Sequence, residues 1–522
     1  MVELDGVASM ADIARAQALR RGSEQALFFE GRTATFAEVD AMASRVAGAL
    51  IASGVRTQER IAYLGKNDDH FLPILLGACK ARATLAPFNY RLAAPEIARL
   101  LEDSGARIMF VGPDVVDLAD RAVAASASKP RMIALGFDRE GYERLDVWVG
   151  PAPPHDPRLA ADPDDDVIQL YTSGTTGLPK GVRLTNRNYL AVFELVAATS
   201  GLNYEPGETA LAAMPFFHVA GVNVALIAMA SGARSAILKD AAPQLILDTI
   251  GKERVNGAFL APALIHMLML SPGIASADLS AMRVLAYGAS PISEDLLRRA
   301  SARFGCEFVQ LYGMTETCGA GTFLPNADHD PAKGKLRSCG RAWPGLELKI
   351  VAADGTEVKR GAVGEVVIRS PVVMKGYWMK PDATEAAIRD GWMRTGDAAY
   401  MDEDGYVFIY DRVKDMIVTG GENVYPAEVE NALFGHPAIA DAAVIGVPDD
   451  DWGEAVKAIV VLKAGAPQDV ADIIAWARAR IAHFKAPKSV DFVEAIPRNL
   501  SGKILRRELR EPYWKGRDRR VN

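Results

Sequence analysis

The apolar run Val167-Ile168-Gln169-Leu170 opens directly onto Tyr171-Thr172-Ser173-Gly174-Thr175-Thr176-Gly177-Leu178-Pro179-Lys180-Gly181-Val182. The apolar residues read as a strand, and the loop after them packs four Ser/Thr hydroxyls, three glycines and one lysine into twelve residues. Such a loop offers backbone N–H groups, hydroxyl donors and an ammonium to a polyanion, and glycine lets the backbone come close because it lacks a Cβ. The expectation is a phosphate cradle. It is not the common P-loop, because Lys180 is followed by Gly181 and not by Ser or Thr. A Ser/Thr/Gly surface loop is the plain alternative. The preceding strand, the helical stretch from Tyr189 to Ala198 and a lysine as the only charge favour phosphate.

Outward from this loop, short apolar runs alternate with helical patterns. Arg60–Leu64, Arg107–Val111, Ser235–Leu238 and Arg283–Tyr287 read as strands, and Ala37–Ser53 and Ser293–Phe304 as helices. Alternation of this kind predicts an α/β protein with largely parallel sheets. Pro151–Asp166 reads as a surface connection. From Leu346 to Tyr410, strand-like runs separated by Asp354-Gly355, Asp390-Gly391 and Asp404-Gly405 predict a small antiparallel β subdomain. A compact α+β segment comes after Lys414.

With 522 residues the chain needs more than one core. A hydrophobic fraction of 49% and a charged fraction of 24% describe a globular protein. The net charge of −7 argues against nucleic acid as an obligate partner. Cys79, Cys306, Cys318 and Cys339 lack CxxC spacing, which fits a reducing cytoplasm. Met1-Val2-Glu3-Leu4-Asp5 lacks the basic start and apolar core of a signal peptide. The run Met214–Ala233, with Pro215, His218 and Asn223, reads as buried interior and not as a membrane span. Peripheral membrane contact and a homodimer stay open.

The segment Tyr171–Val182 resembles the signature of the adenylate-forming superfamily, the AMP-forming acyl-CoA synthetases with their adenylation-domain and luciferase relatives. Leu311-Tyr312-Gly313-Met314-Thr315-Glu316-Thr317 resembles its adenine and magnesium motif, and Trp392-Met393-Arg394-Thr395-Gly396-Asp397 its ribose motif. Asp411-Arg412-Val413-Lys414-Asp415 resembles its hinge, and Pro497-Arg498-Asn499-Leu500-Ser501-Gly502-Lys503 the segment with its catalytic lysine. Gly420–Glu430 and Pro497–Leu509 look closest to bacterial fatty-acyl-CoA ligases, and aryl-acid ligases share those segments.

The resemblance implies a large N-terminal domain over 1–413, made of two doubly wound-like α/β subdomains plus the β subdomain at 346–410. A small mobile α+β lid would occupy 414–522. It implies ATP, Mg²⁺ and coenzyme A as the small molecules used alongside a carboxylic acid. Nucleotide contacts would come from Thr172, Ser173, Gly174, Thr175, Thr176, Gly177 and Lys180. Further contacts would come from Gly288, Ala289, Ser290 and the run Leu311, Tyr312, Gly313, Met314 and Thr315, with Asp397 and Arg412 on the ribose. Glu316 would hold the metal. Lys503 would bridge the attacking carboxylate and the α-phosphate, acting electrostatically on the transition state. Lys414 would be the hinge, and Gly420, Gly421 and Glu422 would line the CoA channel.

The acyl pocket would be formed by Phe217, His218, Val222, Ala289, Leu311 and Cys318, with His218 as a gate. By themselves Thr315-Glu316 could be solvated surface, Asp397 a turn residue, Arg412 a partner of Asp411 or Asp415, His218 a core histidine and Lys503 a surface charge. Ser501 could cap a helix over Ile504–Arg510. Leu311 is apolar and fills volume, so a hydrophobic monocarboxylic acid, a short/medium-to-long fatty acid, is expected and a dicarboxylate is not. The alternative is an aryl or hydroxycinnamic acid. A non-catalytic, ligand-binding relative would be expected to lack Lys503, Glu316 or Asp397, and all three are present. A carrier domain would be expected after a peptide-synthetase adenylation domain, and the stretch beyond Lys503 is short.

Overall fold

The computed structural model describes residues 2–151, 154–173, 179–199, 201–290, 292–412, 415–419, 422–449, 452–498 and 504–515. The chain divides into two compact units. The first holds Met1–Leu336, Ala342–Glu347 and Ile368–Met393, and the second Arg337–Arg341, Leu348–Val367 and Arg394–Asn522.

The first unit contains the two mostly parallel sheets that the alternation predicts. In one, Glu307–Tyr312, Val284–Gly288, Gly257–Leu260, Thr209–Ala212, Arg234–Ile237 and Gln25–Phe29 lie side by side, all in parallel pairs. Thr209–Ala212 lies between the strand next after it in the chain and one that comes later, so the strand order reverses there. Ligands of open α/β sheets bind outside the carboxyl ends of strands at such a reversal. The chain leaving Ala212 carries Phe217 and His218. The second sheet has eight strands, in the order Gly376–Tyr377, Pro179–Thr185, Asp166–Ser173, Thr84–Phe88, Arg60–Leu64, Ile108–Val111, Arg131–Ala134 and Tyr142–Arg144.

Helices form where the periodicity predicts them. Phe36–Ala52 opens on a capping box between Thr35 and Glu38. Glu294–Phe304 opens on Ser293, whose hydroxyl accepts from the Leu296 N–H at 3.3 Å. Within Met214–Ala233 lies the helix Val219–Ala230, which buries Val222, Ala225, Leu226 and Met229. Among the described residues no helix is long and apolar enough to cross a membrane.

Two local expectations change. The phosphate loop leads into a second strand, Pro179–Thr185, before the helix Asn186–Ala197 begins. The loop therefore joins two antiparallel strands and does not sit at a helix N-terminus. Glycine and proline at 177–181 hide the second strand, because both are depleted from strands in general. The C-terminal helix runs Arg506–Trp514 from the cap position Leu505, and Ser501 lies outside the described residues.

The second unit is α+β. Residues 397–401 pair antiparallel with Val407–Arg412. Further on, Ile439–Asp449 and Gly453–Leu462 form a long antiparallel hairpin, with Ser489–Phe492 parallel to its second strand. Val429 and Leu433 of the helix Pro426–Phe434 pack with Ile417, Val444, Val456 and Val460. Arg506 donates to both oxygens of buried Glu430 at 2.8 Å, tying the last helix to this core.

Candidate active site

The hairpin around the glycine loop places Thr172 directly opposite Lys180, and Tyr171 opposite Gly181. Residues opposite one another share a face of the sheet, so Thr172 and Lys180 flank the loop on one side. A Cβ at Gly181 would come 2.5 Å from the Gln169 side chain, so any other residue there would have to displace Gln169. Gly174, Thr175, Thr176 and Gly177 lie outside the described residues, as does the Ser173 side chain.

The base of this hairpin is anchored by charge. Asp166 is buried and accepts from Arg60 and Arg183, the latter at 2.8 Å. The Arg60 guanidinium also donates to Gln169 Oε1 at 3.0 Å and stacks 3.3 Å from the Trp378 ring centroid. Burial pulls the Arg60 pKa down, and Asp166 opposes that pull.

Thr315–Thr317 form one turn of 3₁₀ helix after the strand Glu307–Tyr312. Gly313 permits the turn to fold back, since a Cβ there would lie 2.3 Å from the Gly319 carbonyl oxygen. Leu311 to Thr315 are half-buried, whereas Glu316 is only 6% exposed. Glu316 is therefore no solvated surface residue. Its Oε1 accepts from the Tyr377 hydroxyl at 3.0 Å and lies 3.5 Å from the Thr172 hydroxyl. Its carbonyl oxygen accepts from the Met374 N–H at 2.8 Å. The Lys180 ammonium sits 4.9 Å from the centroid of the same Tyr377 ring.

Thr172, Lys180 and Glu316, expected from far-apart motifs, thus meet around Tyr377. No motif in the sequence marks Tyr377, because only the register of Gly376–Tyr377 on the edge of the hairpin brings it there. Among the described residues no group of three or more His, Cys, Asp or Glu could hold a metal. A single buried carboxylate suits Mg²⁺, which takes one or two carboxylates and completes its octahedron with phosphate oxygens and water.

Gly288 ends its strand opposite Leu311, where a Cβ would meet the Leu311 carbonyl oxygen at 2.0 Å. Ala289 comes next with φ +67 and is exposed, and Ser290 is half-buried. Tyr312 is half-buried opposite Thr322.

Phe217 and Val222 are buried. The Phe217 ring lies 4.5 Å from His218 and 5.4 Å from Tyr90, centroid to centroid. Leu311 packs against the apolar core of its sheet, as do Ala220 and Val224. Cys318 is fully buried with its thiol against the Tyr189 hydroxyl, and burial pushes its pKa up. Asn67 carries no signal in the sequence either. Its side-chain amide donates to the Met214 carbonyl at 3.0 Å and accepts from the Phe216 N–H at 2.9 Å, which pins the chain leading into His218.

Asn223 donates to the Cys318 carbonyl at 2.8 Å, and its Oδ1 is buried with no hydrogen-bond partner among the described residues.

Burial, with a smaller push from Arg91, lowers the His218 pKa from 6.5 to about 4, so the imidazole is neutral at physiological pH. The unfolded chain binds the extra proton between those two values. The resulting stability is fully present above pH 6.5 and is lost as pH falls toward 4. Its size is on the order of 3 kcal/mol. Thermal denaturation at about pH 7 and about pH 4.5 checks this: His218→Asn should lose less stability on acidification than the wild type. Equal losses would mean that His218 is not desolvated.

In the second unit Asp397 lies on a strand and is buried, and it is neither a helix cap nor a loop residue. Its N–H donates to Thr395 Oγ1 at 3.1 Å, and that hydroxyl donates to the Val366 carbonyl at 2.8 Å. Gly396, at φ +70, gives its N–H to Glu365 Oε1 at 2.9 Å. Arg412 is the cross-strand Cα partner of Asp397, so the two expected ribose contacts are neighbours. Asp415 pairs with Arg510 at 3.2 Å. Lys414, Gly420, Gly421 and Lys503 lie outside the described residues, as do the Arg412 and Glu422 side chains.

Residues 14–378 match the AMP-binding enzyme family, and residues 428–503 match the AMP-binding enzyme C-terminal domain. A fatty acid–[acyl-carrier-protein] ligase of Streptomyces coeruleorubidus is 40% identical over 499 residues, covering 95% of each chain. A feruloyl-CoA synthase of an Amycolatopsis species is 38% identical over 484 residues, covering 92% of this chain and 94% of the relative. An anthranilate CoA ligase solved in complex with anthranoyl-AMP superposes with a TM-score of 0.88 at 26% identity, covering 97% of both chains. By these matches over most of its length, the chain belongs to the AMP-binding, adenylate-forming enzyme family.

Proposed function

We propose that the protein is an ATP-dependent acid–thiol ligase acting on a hydrophobic monocarboxylic acid. In the first half-reaction the substrate carboxylate attacks the α-phosphorus of ATP, forming the acyl–phosphate bond and releasing pyrophosphate. In the second, a thiol attacks the acyl carbon of the adenylate, giving a thioester, AMP and one proton. The observation that carries this reading is the meeting of Lys180, Thr172 and Glu316 at one place beside the glycine loop.

Thr172 and Lys180 would hold the β- and γ-phosphates so that pyrophosphate leaves in line. Mg²⁺ at Glu316, when bound, would neutralise charge on the phosphate oxygens. Asp397 and Arg412 would hold the ribose, and Lys503 would meet the charge that builds at the α-phosphate. Lys414 would act as the hinge through which one site serves both half-reactions. Gly420, Gly421 and Glu422 would border the thiol's channel. All four cysteines are free, which supports a reducing, ATP-supplied compartment such as the cytoplasm.

The relatives differ in acid and in acceptor, so one experiment must vary both. Purified protein with Mg·ATP should release AMP with at least one member of a panel of fatty and aryl acids. The acceptor is CoA in one arm and a phosphopantetheinylated carrier protein in the other. We take CoA as the acceptor. AMP released only with the carrier protein reassigns it, and no AMP with any acid in either arm overturns the ligase reading.

A second reading of the acid, an aryl or hydroxycinnamic acid, is favoured by the feruloyl-CoA synthase and the anthranilate CoA ligase that the chain resembles. The same panel decides it: AMP released with the aryl acids and not with the fatty acids makes the aryl acid the substrate class.

A further inference from the structure

We propose that Tyr377 is the positioning residue for both counter-charges of the nucleotide, its hydroxyl orienting Glu316 and its ring holding Lys180. This rests on the reading of Glu316 as metal ligand and Lys180 as phosphate ligand. Two hydroxyls, Tyr377 at 3.0 Å and Thr172 at 3.5 Å, converge on the same oxygen of Glu316. With Oε1 engaged, Oε2 is the oxygen that would take the metal. Hydrogen bonds of this kind to a metal-binding carboxylate fix its orientation and raise metal affinity.

The other face of the arrangement is the cation. The Lys180 ammonium lies over the Tyr377 ring at 4.9 Å, and no Lys180–Glu316 ion pair forms among the described residues. Ring and hydroxyl therefore occupy the two charges separately. Without them a buried carboxylate and a nearby ammonium would neutralise one another, and neither would meet a triphosphate or its metal.

The platform beneath is stiff. Tyr377 pairs with Val182 across the strands, and its N–H donates to Thr384 Oγ1 at 2.9 Å. The next residue, Trp378, donates from its backbone to the Gly181 carbonyl at 2.8 Å and from its indole to the Asp103 carbonyl at 2.9 Å.

The test uses Mn²⁺ as probe, monitored by electron paramagnetic resonance on the full chain with α,β-methylene-ATP. Tyr377→Phe keeps the ring and loses the hydroxyl. It should weaken Mn²⁺ binding to the protein–nucleotide complex about tenfold, with the melting temperature unchanged. Tyr377→Leu should in addition weaken metal-free nucleotide binding about threefold, because the cation loses its ring. Wild-type Mn²⁺ affinity in Tyr377→Phe beside a weakened Glu316→Gln overturns the role of Tyr377 and leaves the metal reading standing. Wild-type affinity in Glu316→Gln overturns the metal reading itself. A melting temperature of Tyr377→Phe that falls along with its affinity makes Tyr377 a structural residue and also overturns the proposal.

Discussion

Lys503→Ala should slow acyl-adenylate formation by about 10²–10³-fold while leaving ATP affinity nearly unchanged. Negative charge on the α-phosphoryl group grows as the carboxylate oxygen approaches, so an ammonium placed there gains most in the transition state. The chain on either side is tied down: Arg498 pairs with Ile504, and the Leu505 N–H donates to the Pro497 carbonyl at 2.9 Å. Arg498 is itself held by Asp441 at 2.8 Å. Acid-dependent exchange of pyrophosphate into ATP measures the first half-reaction, and equilibrium binding of an ATP analogue measures affinity. Thiolysis of a supplied acyl-adenylate should survive the substitution. If the rate and the affinity fall together, Lys503 serves binding alone, and its electrostatic role is wrong.

Asp166→Ala should cost about 3–5 kcal/mol of stability, the largest loss expected from any single side chain near the site. The carboxylate has 0% side-chain exposure and Arg60 only 2%, so removing one strands the other. Arg183 loses the same partner, at 2.8 Å. Replacing both members by leucine removes the buried guanidinium and leaves only the part-exposed Arg183 and Lys375 without this partner, so Arg60→Leu/Asp166→Leu should recover part of the loss. Chemical denaturation of the two proteins decides it: a double variant as unstable as the single one would show that the pair does not act as a unit. Because Arg60 also stacks on Trp378, the single variant should disturb nucleotide binding as well as folding.

The strands Arg60–Leu64, Ile108–Val111 and Val284–Gly288 are legible in the sequence because buried parallel strands are short apolar runs bounded by polar ends. The strand Pro179–Thr185 is not, because its stability comes from the neighbour it pairs with and not from its own residues. The site divides the same way. Thr172 and Lys180 stand out by residue type as suited to phosphate, whereas Glu316 and Asp397 are marked for metal and ribose by the resemblance of their motifs. Tyr377, Asn67 and Asn223 are ordinary residues in ordinary local sequence, and they matter only through what lies opposite them.

By itself the sequence determined the α/β class, many of the buried strands and helices and, through its motifs, the family, since hydrophobic periodicity and motif residues are local properties. Only the tertiary structure decided that Glu316 is buried, that its Oε1 is claimed by Tyr377, that Lys180 rests on the same ring and that Asp397 is the Cα partner of Arg412 in the strand register. Those facts depend on strand register and on contacts between residues far apart in the chain, which no local pattern encodes.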